Sequence, residues 1–335
     1  MRTLGAVASL LPEGTRMRRT LALASMSALA LALAATTAAC GGEEDGAGGA
    51  DAVSVGVIPI VDVAPIYLGI EQGFFAARDI ELELTAAQGG AAIVPGVAAG
   101  EFDFGFSNIT SLLLAQSSGL PIEIVANGVA STGVAGEDFG AVMVPADSPI
   151  QTAADLADAT VAVNTLNNIG DTTVRESVRI DGGDPTGIGF TEIAFPDMPA
   201  QLSAGNVDAA WVVEPFKSLI EAEGGRPVAW NYVDAAPDLT VAAYFATSQL
   251  VQEDPDLVQR FADAIAESLQ YATDNPEAVR DILGTYTDIS PEIRAALTLP
   301  AFPAAVNKDS VERLAELGEA DGIFENPPDV DALLP

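Results

Sequence analysis

The chain has 335 residues, 49% of them hydrophobic and 19% charged, with 48 acidic against 14 basic residues and a formal charge of −34. That is enough for two domains of ordinary size, and so acidic a surface excludes nucleic acid, which needs clustered Lys and Arg. There is no histidine and a single cysteine, Cys40. Their scarcity removes Ser-His-Asp and Cys-His catalysis, the usual zinc and non-haem iron sites and any disulfide framework, so neither a metal nor a cofactor is expected.

The first elements are an address. Arg16-Met17-Arg18-Arg19 is a positive n-region, Leu21 to Ala39 is an apolar run, and small residues Thr37-Ala38-Ala39 precede Cys40. This is a secretory signal pattern whose cysteine is placed to accept a diacylglycerol thioether, with Thr37 standing where Leu is usual in a bacterial lipobox. Residues 1–39 are read as signal peptide and 40–51 as a Gly-rich flexible tether. The start is Met1 or Met17. Cleavage would leave ten basic against 47 acidic residues, a formal −37.

The rest alternates strand and helix. Val53–Ile58, Asp79–Leu84, Phe102–Phe106 and Ile122–Ala126 read as strands, separated by helices opening at Pro65, Gly90 and Asn108. A second series has strands at Gly140–Val144, Thr160–Asn164, Phe190–Ala194 and Val207–Val213, with helices at 152–156, 171–180, 199–204 and 215–222. After Thr240–Ala246 only helices follow, at 255–273, 276–285, 291–298 and 310–320, three of them opening at proline. Strand–helix alternation of this kind specifies an α/β protein with largely parallel sheets.

One phrase repeats at an offset of 105: Val97-Ala-Ala-Gly100-Glu-Phe-Asp103 and Leu202-Ser-Ala-Gly205-Asn-Val-Asp208. Each is a helix ending at a Gly able to turn left-handed, followed by an apolar-Asp pair at a strand start. Two copies at like places argue for two lobes of similar build. The division expected is 52–138 plus 245–335 for lobe 1 and 139–244 for lobe 2, with crossings near Phe139–Val144 and Val241–Ala246.

The stretch Pro65-Ile-Tyr-Leu-Gly-Ile-Glu-Gln-Gly-Phe-Phe75, then Ile80-Glu-Leu-Glu-Leu84, resembles the opening of bacterial solute-binding lipoproteins of the nitrate, sulfonate, taurine and thiamine-precursor type. Gly89-Gly90, Ala99-Gly100-Glu-Phe-Asp-Phe-Gly-Phe106, Val161 to Gly170 and Gly205 to Phe216 continue it over roughly residues 53–275. The resemblance implies a type II periplasmic-binding-protein-like fold, a Venus flytrap with its helical C-terminal segment packed on lobe 1. It implies a monomeric, lipid-anchored protein on the outer face of the cytoplasmic membrane that is not an enzyme. Its partners would be a small-molecule ligand and an ABC permease with its ATPase. The expected ligand is a small anion such as an alkanesulfonate, taurine or nitrate, with a thiamine-precursor pyrimidine as alternative. A tethered carboxylate-dependent hydrolase and a surface adhesin are the rivals from other classes. Relatives that make the thiamine pyrimidine need histidine and a cysteine-rich segment, both absent here.

In open parallel sheets ligands sit beyond the carboxyl ends of the strands, where helix N-termini attract anions. Four loops there supply the candidates: Asp62; Ser107 and Asn108, beside Thr110; Asn164, Thr165, Asn167 and Asn168; and Trp211 with Glu214. Asp62 and Asn108 serve equally well as helix caps, and Trp211 as core. Arg175 and Arg179 are expected to pair with carboxylates.

Overall fold

A computed structural model describes residues 49–334, which form one compact unit; the signal peptide, Cys40 and most of the tether lie outside the described residues. Asp51, expected in the tether, is the first residue of a strand and pairs with Arg260 at 2.6 Å.

The first series gives β1 (Asp51–Val57), α1 (Ala64–Gln72), β2 (Ile80–Ala86), α2 (Gly90–Ala98), β3 (Phe104–Asn108), α3 (Ile109–Ser117) and β4 (Ile122–Ala130). The second gives β5 (Gly140–Val144), β6 (Thr160–Val163), α4 (Ile169–Ile180), β7 (Gly189–Glu192), α5 (Met198–Ser203), β8 (Ala209–Val213) and α6 (Phe216–Ala222). Then come β9 (Arg226–Ala229), α7 (Asn231–Ala235), β10 (Thr240–Thr247), α8 (Ser248–Glu253), α9 (Pro255–Asp274), α10 (Pro276–Ile282), α11 (Pro291–Ala296), α12 (Lys308–Ala320) and α13 (Val330–Leu333).

Two five-stranded sheets result, ordered β2-β1-β3-β10-β4 and β7-β6-β8-β5-β9. They share one plan: three parallel strands, then an antiparallel strand arriving from the other half (β10 or β5), then an edge strand. The repeated phrase falls at the same corner of both, between a helix and the third strand, with Gly100 and Gly205 at φ 75° and 70°. Its aspartate ties that corner to the first parallel strand. Asp103 accepts from the Ser54 amide at 2.8 Å, and Asp208 from the Thr160 amide at 2.8 Å.

Both crossings fall earlier than the sequence suggests. Gly140–Val144 pairs wholly within the second sheet and Thr240–Thr247 wholly within the first, so a boundary at 244/245 would cut β10. The chain passes between sheets at 131–139 and 230–239. Strand ends are set there by pairing partners far away in sequence, which a local pattern does not carry.

The tail packs mainly on the first sheet: α9 lies on α1 and β4, and α10 on α1. It also reaches the second half, through α11 on α6 and α12 on α4. Phe261 of α9 is fully buried, stacked on Phe104 at 3.9 Å between centroids and edge-on to Tyr244 at 5.8 Å. Truncating such a ring removes transfer energy and leaves a cavity. Phe261→Ala is expected to lower unfolding free energy by about 3–5 kcal/mol, read as a lower urea midpoint at unchanged slope.

Candidate functional site

The loops beyond the carboxyl ends of the parallel strands meet across the two halves. Gln88 Nε2 donates to the Asn164 carbonyl at 2.9 Å, and Asn164 Nδ2 donates back to the Gln88 carbonyl at 3.4 Å. The Val61 amide donates to the Glu214 carbonyl at 3.1 Å. Gly89 allows the approach: a Cβ there would stand 2.8 Å from Asn164 Nδ2 and 2.9 Å from Thr165 Cγ2. Between these contacts lies an apolar cavity of about 130 Å³, lined by residues including Ile58, Ile60, Gln88, Phe195 and Phe216. A larger open depression of about 380 Å³, between the end of α9 and residues 299–304, has no buried unpartnered polar side chain among its lining residues.

The polar centre of this junction is Asp62, on a single 3-10 turn (Val61–Val63) between β1 and α1. It is 3% exposed and its Oδ1 has no partner. Burial pushes its pKa up to about 8, offset in part by its own backbone amide and reinforced by the charge of Asp138. Tyrosines surround it. Tyr67 stacks on Tyr286 at 4.0 Å, and the Tyr286 hydroxyl donates to the Ile60 carbonyl at 3.0 Å, fixing the loop that carries Asp62. Burial, with Asp62's charge behind it, holds Tyr232, Tyr244 and Tyr286 well above the ordinary phenol value. The Tyr244 hydroxyl and Trp211 Nε1 are buried and unpartnered too.

Asp138 is a brace. Its carboxylate accepts from Ser131 Oγ at 2.6 Å and from the Thr132 and Phe139 amides at 3.0 Å. These bonds pull its pKa down against the larger effect of burial, which leaves it raised. The carboxylate is thereby tied into the 131–139 crossing.

Most of the residues singled out from sequence spend their polar atoms on the protein. Asn108 caps α3, accepting from the Ser111 amide at 2.9 Å and donating to Ser111 Oγ at 3.0 Å. Ser107 is buried against Gly90, its hydroxyl on the Asn108 carbonyl. Asn168 caps α4 and donates to Asn164 Oδ1 and Thr165 Oγ1. Asn167 is exposed at φ 55°, its backbone N–H donating to Asp171 Oδ2. Glu214 is sealed against Lys217 (3.2 Å), Ser218 and the Thr298 amide. Trp211 fills the core between Gly170, Phe195 and Tyr232, with only its indole N–H unspent. Asp62 thus presents a buried carboxyl oxygen without a partner; Thr110 Oγ1, at the start of α3, is buried and unpartnered as well. The sequence reading missed the four tyrosines, Gln88 and Asp138.

The cations are all committed. Of the ten Lys and Arg after Cys40, seven pair with carboxylates: Arg78, Arg179, Lys217, Arg260, Arg280, Lys308 and Arg313. The other three, Arg175, Arg226 and Arg294, bind backbone carbonyls, and Arg175 also lies over the Phe190 ring. Pairing of Arg179 with carboxylates was expected. Among the described residues no group of three or more acidic or thiol side chains is placed to hold a metal, and no helix is long and apolar enough to cross a membrane.

Comparisons agree with this architecture. Residues 60–279 match the family model described as NMT1/THI5 like. A formylaminopyrimidine-binding protein of Halalkalibacterium halodurans is 22% identical over 226 residues, covering 67% of this chain and 66% of the relative. A 2'-hydroxybiphenyl-2-sulfinate desulfinase of Rhodococcus erythropolis is 30% identical over 113 residues, 32% of this chain and 28% of that enzyme. The chain therefore spans under two thirds of the length of each of these relatives. Among solved structures, the alkanesulfonate-binding protein SsuA of Xanthomonas axonopodis pv. citri, bound to MOPS, superposes with a TM-score of 0.73 at 16% identity, covering 86% of this chain and 99% of that one.

Asp62 also makes stability depend on pH. Its folded-state pKa of about 8 lies above the ordinary 3.8. Below both values it is protonated folded or unfolded and has no effect. Between them the unfolded chain ionises and the folded one does not, so stability falls as pH rises, by several kcal/mol in all. The ligand-free Asp62→Asn protein should melt higher than wild type at pH 8, the gap closing as pH falls toward 5; parallel Tm curves would show that Asp62 does not titrate this way.

Proposed function

This chain belongs to the NMT1/THI5-like family and has the periplasmic-binding-protein fold, and from that premise we propose that it is the lipid-anchored solute-binding component of an ABC importer. Its ligand, on this reading, is a small planar heteroaromatic molecule carrying N–H donors, of the thiamine-precursor pyrimidine type. The observation that carries the choice of ligand is the commitment of all ten cations elsewhere, beside a buried carboxyl oxygen with no partner.

An anion needs an unspent cation or an open helix N-terminus. The first turns of α3 and α4 are capped by Asn108 and Asn168, and Asp171 adds an acid to the start of α4; α1 and α2 have no side-chain cap, so the case against an anion rests on the lack of an unspent cation. Asp62 Oδ1 instead suits a hydrogen-bond donor. The relative named for formylaminopyrimidine points the same way. The two halves close over the ligand and the permease reads the closed form.

The carboxylate hydrolase expects two acids with raised pKa in one cleft, and Asp62 with Asp138 answers that description in part. Yet Asp138 has both oxygens occupied by the crossing, and Asp171, its pKa raised to about 6 and its Oδ1 unpartnered, is coupled to Arg175 and Glu192 rather than to Asp62, so no second free carboxyl faces Asp62. The desulfinase shares only a 113-residue stretch. A binder that performs no chemistry is the reading that fits.

A thermal-shift panel on the protein from Gly41 onward tests the ligand class. Hydroxymethylpyrimidine, thiamine and riboflavin would be set against taurine, alkanesulfonates, nitrate and bicarbonate. A ligand at a thousand times its Kd adds about 4 kcal/mol. A shift with an amino-heterocycle is expected; a shift with the anions alone would overturn the ligand assignment, and turnover of any of them would revive the enzyme reading. Separately, Cys40→Ser should move the protein from the membrane fraction to the soluble extracytoplasmic one. Retention in the membrane would overturn the lipid anchor.

A further inference from the structure

We propose that Asp62 is the specificity-determining residue of this site, sharing one proton with a basic ring nitrogen of an amino-substituted N-heteroaromatic ligand. The inference rests on the binder reading above and narrows it to one side chain and one kind of ligand edge.

The carboxyl sits on the loop fixed from both halves, by the Val61–Glu214 and Tyr286–Ile60 hydrogen bonds. It is 3% exposed, and Oδ1 meets no donor from the protein. A buried acceptor left so is costly unless something else fills the place. The groups coupled to it come from several elements: Asp138 from the crossing, Tyr232 from α7, Tyr244 from β10, and Tyr286 after α10, which stacks on Tyr67 of α1. None is a cation. The tyrosines are held above their ordinary value and stay neutral through physiological pH. Asp138 has its oxygens occupied. Only Asp62 can exchange a proton with a ligand here.

Burial keeps that proton on Asp62 near neutrality, its pKa being about 8. Set against a ring nitrogen, the proton either stays on oxygen as O–H···N or moves to nitrogen as O⁻···H–N⁺. One proton and one nitrogen lone pair serve both forms, the pair has no net charge in either, and no further reactant is needed. The unpartnered Tyr244 hydroxyl and Trp211 N–H are buried in the same junction. A sulfonate or nitrate brings a full negative charge beside Asp138 with no cation to offset it. A carbocyclic isostere brings no lone pair and leaves the carboxyl unpaired.

The test is calorimetric titration of 4-amino-5-hydroxymethyl-2-methylpyrimidine into the mature protein, wild type and Asp62→Asn, from pH 6.5 to 9.5. Wild type should bind most tightly near neutrality and weaken by about tenfold per pH unit once Asp62 loses its proton. Asp62→Asn, with its fold checked by Tm, should bind about 10- to 100-fold more weakly at pH 7 and show no such pH dependence. Wild-type affinity and wild-type pH profile in the variant would overturn the role of Asp62 while leaving the binder reading intact. A flat wild-type profile overturns it without recourse to any variant. If wild type takes no heterocycle at any pH, whatever else it takes, the ligand class and the role of Asp62 fall together.

Discussion

An unpaired carboxyl oxygen sealed from water is the constraint around which this molecule is arranged. Leaving it without a partner costs about 1–3 kcal/mol, so the position persists only where the surroundings hold it against collapse. Here the loop bearing Asp62 is bonded from the second half through Val61 and from the tail through Tyr286. Tyr244, coupled to Asp62, is itself packed edge-on against Phe261 in the buried core, and no protein donor reaches Oδ1. The strain is local, and the large core stabilises the rest.

The same loop makes the two halves one device. Each sheet lends a strand to the other half's chain path, β5 outward and β10 returning, so both crossings leave from beside the site. Asp138 stiffens one crossing with bonds from Ser131, Thr132 and Phe139. The reciprocal Gln88–Asn164 amide pair joins the rims. Hydrogen bonds between neutral amides exchange readily with water and contribute about 0.5–1.5 kcal/mol each. On the proposed binder reading, that is strong enough to favour a closed form and weak enough for it to open. Bonds of that size, with a ligand adding its own, suit reversible capture.

The fold was largely legible because its signals are local. Proline at helix starts, left-handed glycine at Gly73 and Gly100 and strand-length apolar runs all work within one element. The repeated Gly-x-apolar-Asp phrase succeeded for a reason visible in the structure: Asp103 and Asp208 perform the same tie to the first parallel strand. β9 was hidden because Gly224-Gly225-Arg226-Pro227 reads as a turn, and its strand character comes from pairing with β5. Of the candidate residues read from sequence, Asp62 is the carboxylate that keeps a buried oxygen without a partner. In the Asn-rich loop an amide can satisfy neighbouring protein groups as well as a ligand, and Asn168 bonds to Asn164, Thr165 and the Gly170 amide. The tyrosines at 67, 232, 244 and 286 converge from four distant elements, and nothing in their local sequence marks them.

On the proposed reading, charge extends the selectivity beyond the cleft. From Cys40 onward the chain carries 47 acids against ten bases, and each base is tied to a carboxylate or a carbonyl, so the field outside is negative with no positive funnel. Screening limits its reach to about 8 Å at physiological ionic strength, yet within that distance of the rim it disfavours anions before any contact forms. A neutral or weakly basic heterocycle meets no such barrier. Inside, the low-dielectric junction strengthens whatever hydrogen bond it makes to Asp62. Surface and site therefore discriminate in the same sense, the surface by sign of charge and the site by the availability of a lone pair. An acidic protein without histidine or a free cation can thus be selective through a single carboxyl whose proton is kept in place by burial.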